Sequence, residues 1–297
     1  MMRTTMRWMA VAAGVAVAAG CGSRKAANSV TIKGSDTMVI LVQRWAEGYM
    51  KDHPGAVVQV TGGGSGTGIA ALINGGTDIC TASRPMKPEE FEQVKAKRSA
   101  EAKEVPVALD GIAIYVHEKS KVKSLTVDQI KQVYQGKITD WKALGGAKGP
   151  IIAYSRENNS GTYEYFKEHV LAREDFAANI QSMPGTAAIV NAVAKDVQAI
   201  GYGGIAYAKG VRAVAVSLKK GKASVAPSQA AVVSGKYPIS RKLFFYTAGE
   251  PTGLTAEFIA WALSADGQKI CQEVGYFPLK AAKKAAAARK SAGKKKK

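Results

Sequence analysis

Three stretches of this sequence combine hydroxyls, glycines and charged groups at a spacing suited to anion recognition. They are Gly34-Ser35-Asp36-Thr37, Gly62-Gly63-Gly64-Ser65-Gly66-Thr67-Gly68 and Arg156-Glu157-Asn158-Asn159-Ser160-Gly161-Thr162. Each follows a β-rich apolar run and precedes apolar residues at helical spacing, which places its Ser, Thr and Gly at a strand-to-helix turn. The first turn of a helix presents unpaired N–H groups and the positive end of the helix dipole. With hydroxyls beside it, and glycine letting the backbone come close, such a turn binds a tetrahedral oxyanion. Taken singly, each turn also reads as an ordinary Ser/Thr cap with glycine punctuation. Three in one chain, with Arg84 and Arg156 nearby, point to an anion enclosed by several helix ends and by charge-assisted bonds.

Other chemistries fit less well. The glycine loop lacks the G-K-[ST] ending of a triphosphate-binding loop. Gly66-Thr67-Gly68-Ile69-Ala70-Ala71 matches a dinucleotide fingerprint, but the next strand ends at Ala82-Ser83-Arg84 with no acid to hold a ribose. No G-x-S-x-G elbow and no Ser–His–Asp arrangement is present. His53, His117 and His169 are scattered, and no C-x-x-C spacing suggests a metal.

The elements that must position these turns alternate. Strands are expected at 30–32, 57–60, 78–82 and 105–116, with helices at 37–51, 69–73 and 88–99 between them. A second unit follows: helix 126–134, strand 151–154, a helix opening at Ser160, helix 186–194, and strands 199–202 and 211–216. A strand from Lys242 to Tyr246 and one long helix over 256–274 close the pattern. This order predicts two α/β units, each with an open sheet and right-handed crossovers.

The ends of the chain lie outside the fold. Arg3 and Arg7 precede an apolar run from Trp8 to Ala19, too short to span a bilayer, and Ala18-Ala19-Gly20-Cys21 follows. This reads as a lipoprotein signal at 1–20 with Cys21 as the lipidated residue. Ordinary secretory cleavage near Ala18 or Gly20, leaving Cys21 incidental, remains open; either way the protein is exported. Residues 21–29 are a linker. Residues 280–297 carry nine Lys or Arg and no acid, the composition of a solvated, disordered tail or of an attachment to an anionic surface. Nine of the nineteen net positive charges lie in that tail and two at Arg3 and Arg7, leaving +8 for the rest, a balance that draws in anions. Cys80 and Cys271 are either a disulfide or two buried thiols.

The succession GSDTM (34–38), GGGSGTGI (62–69), DICTASRPM (78–86), GKITDW (136–141), RENNSGTYEYF (156–166), AIGYGG (199–204) and EVGYFPL (273–279) resembles the phosphate-binding subunit of the bacterial phosphate ABC importer, over about residues 30 to 279. The resemblance implies the type II periplasmic-binding-protein fold: two α/β lobes, a two-strand hinge and a ligand cleft. Lobe 1 is then 30–108 plus 218–279 and lobe 2 is 109–217, with crossings near Ala108–Ile114 and Ala213–Ser217. It implies a monomeric periplasmic or cell-surface receptor, held to a membrane by its lipid, that binds inorganic phosphate and meets the importer's permease subunits, with no nucleic acid, no cofactor and no catalysis. Ser35, Asp36, Thr37, Ser65, Arg156, Ser160, Gly161 and Thr162 then surround phosphate, with Arg84 as an added cation. Some relatives carry an aspartate that accepts the phosphate proton at the place of Arg84, and that task passes here to Asp36. Asp36 also reads as a plain helix cap. A carboxylate acceptor favours phosphate, which donates a proton, over sulfate, which at neutral pH does not. The alternatives are a receptor for sulfate, molybdate or a phosphonate, and a secreted phosphatase.

Overall fold

The computed structural model describes residues 28–279. The signal segment, Cys21, most of the linker and the basic tail lie outside the described residues. The chain opens with β1 (Ser29–Gly34), α1 (Val39–Asp52), β2 (Val57–Thr61), α2 (Ser65–Ile73), β3 (Ile79–Ala82) and α3 (Pro88–Arg98). β1 pairs in parallel with β2 on one side and β3 on the other, so α1 and α2 are crossover helices. α1 forms because Leu41, Val42, Trp45, Ala46 and Tyr49 recur every three or four residues, and all five are buried. Trp45 donates its indole N–H to the Gly267 carbonyl at 2.6 Å. Truncating so large a buried ring costs about 3–5 kcal/mol.

The long strand β4 (Ala102–Val116) carries the chain into a second lobe. That lobe contains β5 (Ser124–Thr126), α4 (Val127–Tyr134), β6 (Ile152–Arg156), α5 (Gly161–His169), β7 (Gln181–Met183), α6 (Gly185–Lys195), β8 (Ala199–Gly204), β9 (Arg212–Ala213) and β10 (Ala215–Ser217). α7 (Gln229–Val233), β11 (Ser240–Ala248), α8 (Gly253–Ala262) and α9 (Ala265–Val274) follow. The main sheet runs β2-β1-β3-β11-β4-β8-β6-β7, with β9 also on β4. The N-terminal part of β4 pairs with β11, and Ile112–Val116 pairs with β8. One strand therefore belongs to both lobes, and the two largest apolar cores lie on either side of its midpoint. One gathers Trp45, Tyr49, Phe245 and Phe258; the other gathers Tyr134, Phe166 and Tyr202.

The segment after β10 packs with residues of the second lobe. Ala231, Val232, Tyr237 and Ile239 share their cluster with Leu125, Val214 and Val216. β10 pairs with β5, and β11, which pairs with β3 and β4, begins at Ser240. Three local features differ from expectation. α2 starts at Ser65, ahead of its apolar residues. The long helix over 256–274 is two helices, because Ser264 accepts from the Gly267 N–H and caps α9. β5, β7 and α7 are too short to leave a periodic signal.

Cys80 and Cys271 are both free and buried, in different apolar clusters. No disulfide joins them. Burial pushes both thiols up, that of Cys271 to about 12, so neither forms the reactive thiolate near neutral pH. A thiol-specific aromatic disulfide reagent is expected to leave both unlabelled in the native protein and to titrate both after denaturation. An intact mass two hydrogens short of the reduced chain, with no thiol released on unfolding, would contradict this.

Candidate anion-binding site

The turn after β1 is built by close approach of backbone. Gly34 has φ +148°, and a Cβ there would lie 2.1 Å from the Thr81 carbonyl oxygen, so no other residue fits without moving β3. The next N–H, that of Ser35, donates to the carbonyl and to Oγ1 of Thr81, both at 2.9 Å. This locks the turn against the end of β3 and aims Asp36 and Thr37 towards the second lobe. Asp36 Oδ1 accepts from the Gly63 N–H at 2.7 Å, and its Oδ2 accepts from Arg156 Nη2 at 2.7 Å. The Tyr207 hydroxyl donates to the Asp36 carbonyl at 2.7 Å, and the Tyr276 hydroxyl donates to that of Thr37.

The facing turn comes from β6 and α5. Ser160 Oγ accepts from the N–H groups of Thr162 and Tyr163 at 3.2 and 3.4 Å. It is a true N-cap whose own proton is left to donate. Thr162 Oγ1 lies 2.8 Å from Thr37 Oγ1 across the cleft. Ser65, first residue of α2, accepts from the Ser83 N–H at 3.0 Å. A Cβ on Gly161 would meet Ser65 Oγ at 2.3 Å, so glycine here lets α5 and α2 converge. The glycine loop and the Arg156 loop are zipped by Asn159, whose carbonyl accepts from Gly66 N–H at 2.9 Å and whose amide donates to the Gly63 carbonyl at 3.1 Å. The ends of three helices thus meet with the lobes drawn together.

Charge in this cluster is balanced. The Arg156 side chain is 1% exposed and its partner Asp36 is 23% exposed. Burial lowers the Arg156 guanidinium, with the Asp36 carboxylate opposing. Nη1 of Arg156 donates to Thr186 Oγ1 at 2.9 Å. A second buried pair, Arg241 and Asp110, stands beside it with a 2.8 Å contact. Burial pushes the Asp110 carboxyl up, against the pull of Arg241. Among the described residues no cluster of His, Cys, Asp and Glu suits a metal, and no helix is long and apolar enough to cross a membrane.

Comparisons with known proteins identify the family. The PBP superfamily domain matches residues 20–266. Phosphate-binding protein PstS of Pseudomonas aeruginosa is 35% identical over 265 residues, covering 84% of this chain and 82% of its own length. PstS of Bacillus subtilis is 34% identical over 259 residues, covering 87% and 83%. The chain belongs to the PstS family of phosphate-binding proteins. A Clostridium perfringens protein solved with bound phosphate superposes with a TM-score of 0.78 at 34% identity, over 85% of this chain and all of that one. An ABC-type phosphate transport receptor from Vibrio cholerae gives a TM-score of 0.67 at 28% identity, over 84% and 100%. Membership of the PstS family carries the type II periplasmic-binding-protein fold with its two lobes.

The structure gathers Ser35, Asp36, Thr37, Ser65, Arg156, Ser160, Gly161 and Thr162 at one place. Arg84 departs from expectation. Its Nη1 and Nη2 are held by both carboxylate oxygens of Glu90 at 2.7 Å, and Nη1 also donates to the Pro85 carbonyl. Both Nη groups are thus taken up by a bidentate carboxylate in the first turn of α3. Ser83, Asp110, Thr186 and Arg241 were not singled out from sequence, and Asn159 was named only as part of the third turn. The signal for Asp110 was legible: a lone carboxylate inside the apolar run VALDGIAIYV demands a buried partner.

Burial raises the Glu90 carboxyl, but hydrogen bonds from Arg84 and from the Lys87 N–H, with the charge of Arg84, hold it below its ordinary value. A carboxyl depressed on folding adds stability that is fully present above its unfolded value, about 4.3, and fades as pH falls through the lower folded value. Glu90→Gln is expected to lower the melting temperature at neutral pH. The gap to the parent should close as pH drops below the carboxylate range; a gap independent of pH would show that the charge of the pair adds nothing.

Proposed function

We propose that this protein captures inorganic phosphate outside the cytoplasm, encloses it between the two lobes and delivers it to an ABC importer, with no catalysis of its own. Its membership of the PstS family supports the receptor role, and one observation carries the site. Asp36 and Arg156 bond across the lobes at 2.7 Å among the N-terminal turns of three helices, so a carboxylate, a cation and neutral donors face one point. Thr37, Ser65, Ser160 and Thr162 supply hydroxyls, Gly161 supplies backbone at close range, Ser35 shapes the turn, and Arg156 supplies charge-assisted bonds. Arg84, committed to Glu90, is not assigned to phosphate.

Asp36 is the acceptor for the phosphate proton. Each of its oxygens accepts one bond from the protein and has a lone pair left. Monohydrogen and dihydrogen phosphate can both donate to it, whereas fully ionised sulfate meets a desolvated carboxylate and is repelled. Calorimetry on dialysed protein should give one phosphate site per chain, with arsenate bound and sulfate weak. Asp36→Asn should weaken phosphate binding and raise sulfate affinity relative to it. Sulfate binding as tight as phosphate in the parent, or unchanged selectivity in the variant, would remove the acceptor role.

Localisation follows from the other end of the chain. We take Cys21 as the lipid-bearing residue that holds a monomeric receptor near its permease partners; its place after Ala18-Ala19-Gly20 supports this. Cys21→Ser is expected to release the protein into the soluble extracytoplasmic fraction. Retention of that variant on membranes, with release only when residues 280–297 are removed, would make the basic tail the anchor.

A further inference from the structure

Arg241 and Asp110 are register partners on β11 and β4 at the place where the chain crosses between lobes. Both are buried, at 5% and 0% exposure. Nε and Nη2 of Arg241 donate to Asp110 Oδ2 at 3.0 and 2.8 Å, and Nη1 donates to the Ser83 carbonyl at 2.9 Å. Nη2 also donates to Thr162 Oγ1 at 3.0 Å and reaches Thr37 Oγ1 at 3.5 Å. One nitrogen at the hinge therefore touches both hydroxyls that meet across the cleft. A salt bridge serving only to join β4 and β11 needs neither contact.

The direction of protons at this point follows from donor capacity. A guanidinium only donates, and a hydroxyl has one proton and two lone pairs. Thr37 and Thr162 lie 2.8 Å apart, so one of them donates to the other. If Thr37 donates, both lone pairs of Thr162 are filled, one by Thr37 and one by Arg241, and the Thr162 proton is left over. If Thr162 donates, the Thr37 proton is left over. In either case one hydroxyl proton of the pair is left over for the anion, with Ser83 Oγ, 3.5 Å from Thr162 Oγ1, as the long and weaker competing acceptor. We propose that Arg241, held in place by Asp110, is a positioning residue that orients the Thr37 and Thr162 hydroxyls so that they meet the bound anion as a donor. This rests on the phosphate reading of the site and deepens it. With the threonine pair committed to donating, the proton of phosphate has to face Asp36. Because the two threonines come from different lobes, the orientation is set only when the lobes close.

The test is a double-mutant cycle read by phosphate calorimetry, with thermal melting as the control for folding. Asp110→Asn combined with Arg241→Gln keeps the buried pair neutral and able to hydrogen-bond. It is expected to melt cooperatively yet bind phosphate at least about tenfold more weakly than the parent. Thr162→Val, expected to cost the parent about tenfold or more, should cost less than about threefold in that background, since coupled residues are not additive. Arg241→Lys keeps the charge beside Asp110 but lacks the planar fork whose Nε and Nη1 brace it on Asp110 and on the Ser83 carbonyl, so its ammonium is not fixed against Thr162. It is expected to bind weakly too, and it carries the same cycle if the paired variant does not fold. Parent-like affinity in Arg241→Lys, or an equal cost of Thr162→Val in parent and variant, would overturn the positioning role. A parent that binds sulfate or molybdate but not phosphate sinks the phosphate reading alone, and the cycle is then read with that anion. A parent that binds none of them overturns both.

Discussion

The 2.7 Å bond between Asp36 and Arg156 is the interaction on which the rest of the site depends. It joins the turn after β1 in one lobe to the end of β6 in the other, and its arginine is almost wholly out of water. Leaving one partner of such a pair buried alone costs about 3–5 kcal/mol. Closing the lobes and neutralising Arg156 are therefore one event. The same bond sets the polarity of the cleft. Arg156 and Arg241 are matched by Asp36 and Asp110, so the protein adds no net charge there. On the proposed reading, an anion there meets oriented N–H and O–H groups, which act strongly where water is excluded, beside the charge-assisted donors of Arg156.

The hinge makes this geometry reproducible. β4 pairs with β11 in one lobe and with β8 in the other, so the two sheets share a strand and cannot drift independently. Asp110 and Arg241 lie at that junction. Small residues complete it: Gly204 at the end of β8 sits against the side chains of Thr37, Tyr276 and Asp110, and Gly161 lets α5 reach Ser65. Each close approach is specified by backbone, whereas the apolar cores on either side need only fill their volume.

Much of this was legible in the sequence, for physical reasons that differ by element. The buried stripe of α1 and the apolar run of β4 follow from periodicity. The three Ser/Thr/Gly turns follow from the way hydroxyls and glycine serve helix starts, and eight residues named from them do converge. The direction of Arg84, expected as an added cation beside the anion turns, was not readable from sequence; Glu90, six residues on and in the first turn of α3, holds it. β9 and β10 carry a strand pattern regardless of which lobe they serve, and the packing of Val232, Tyr237 and Ile239 with Leu125, Val214 and Val216 is a long-range contact no local pattern shows. Arg241 was missed because its partner lies 131 residues away, a distance no local pattern bridges. The fates of Cys80 and Cys271 likewise depend on tertiary placement, in separate cores.

The most direct measurement is a crystal structure of the protein grown with phosphate. The expected result is one phosphate between the lobes, touching the Thr37, Ser65 and Thr162 hydroxyls and Arg156, with one phosphate oxygen within hydrogen-bonding distance of an Asp36 carboxylate oxygen. Phosphate bound outside this cluster, or inside it with Asp36 turned away, would contradict the enclosure of a protonated oxyanion by the Asp36–Arg156 pair.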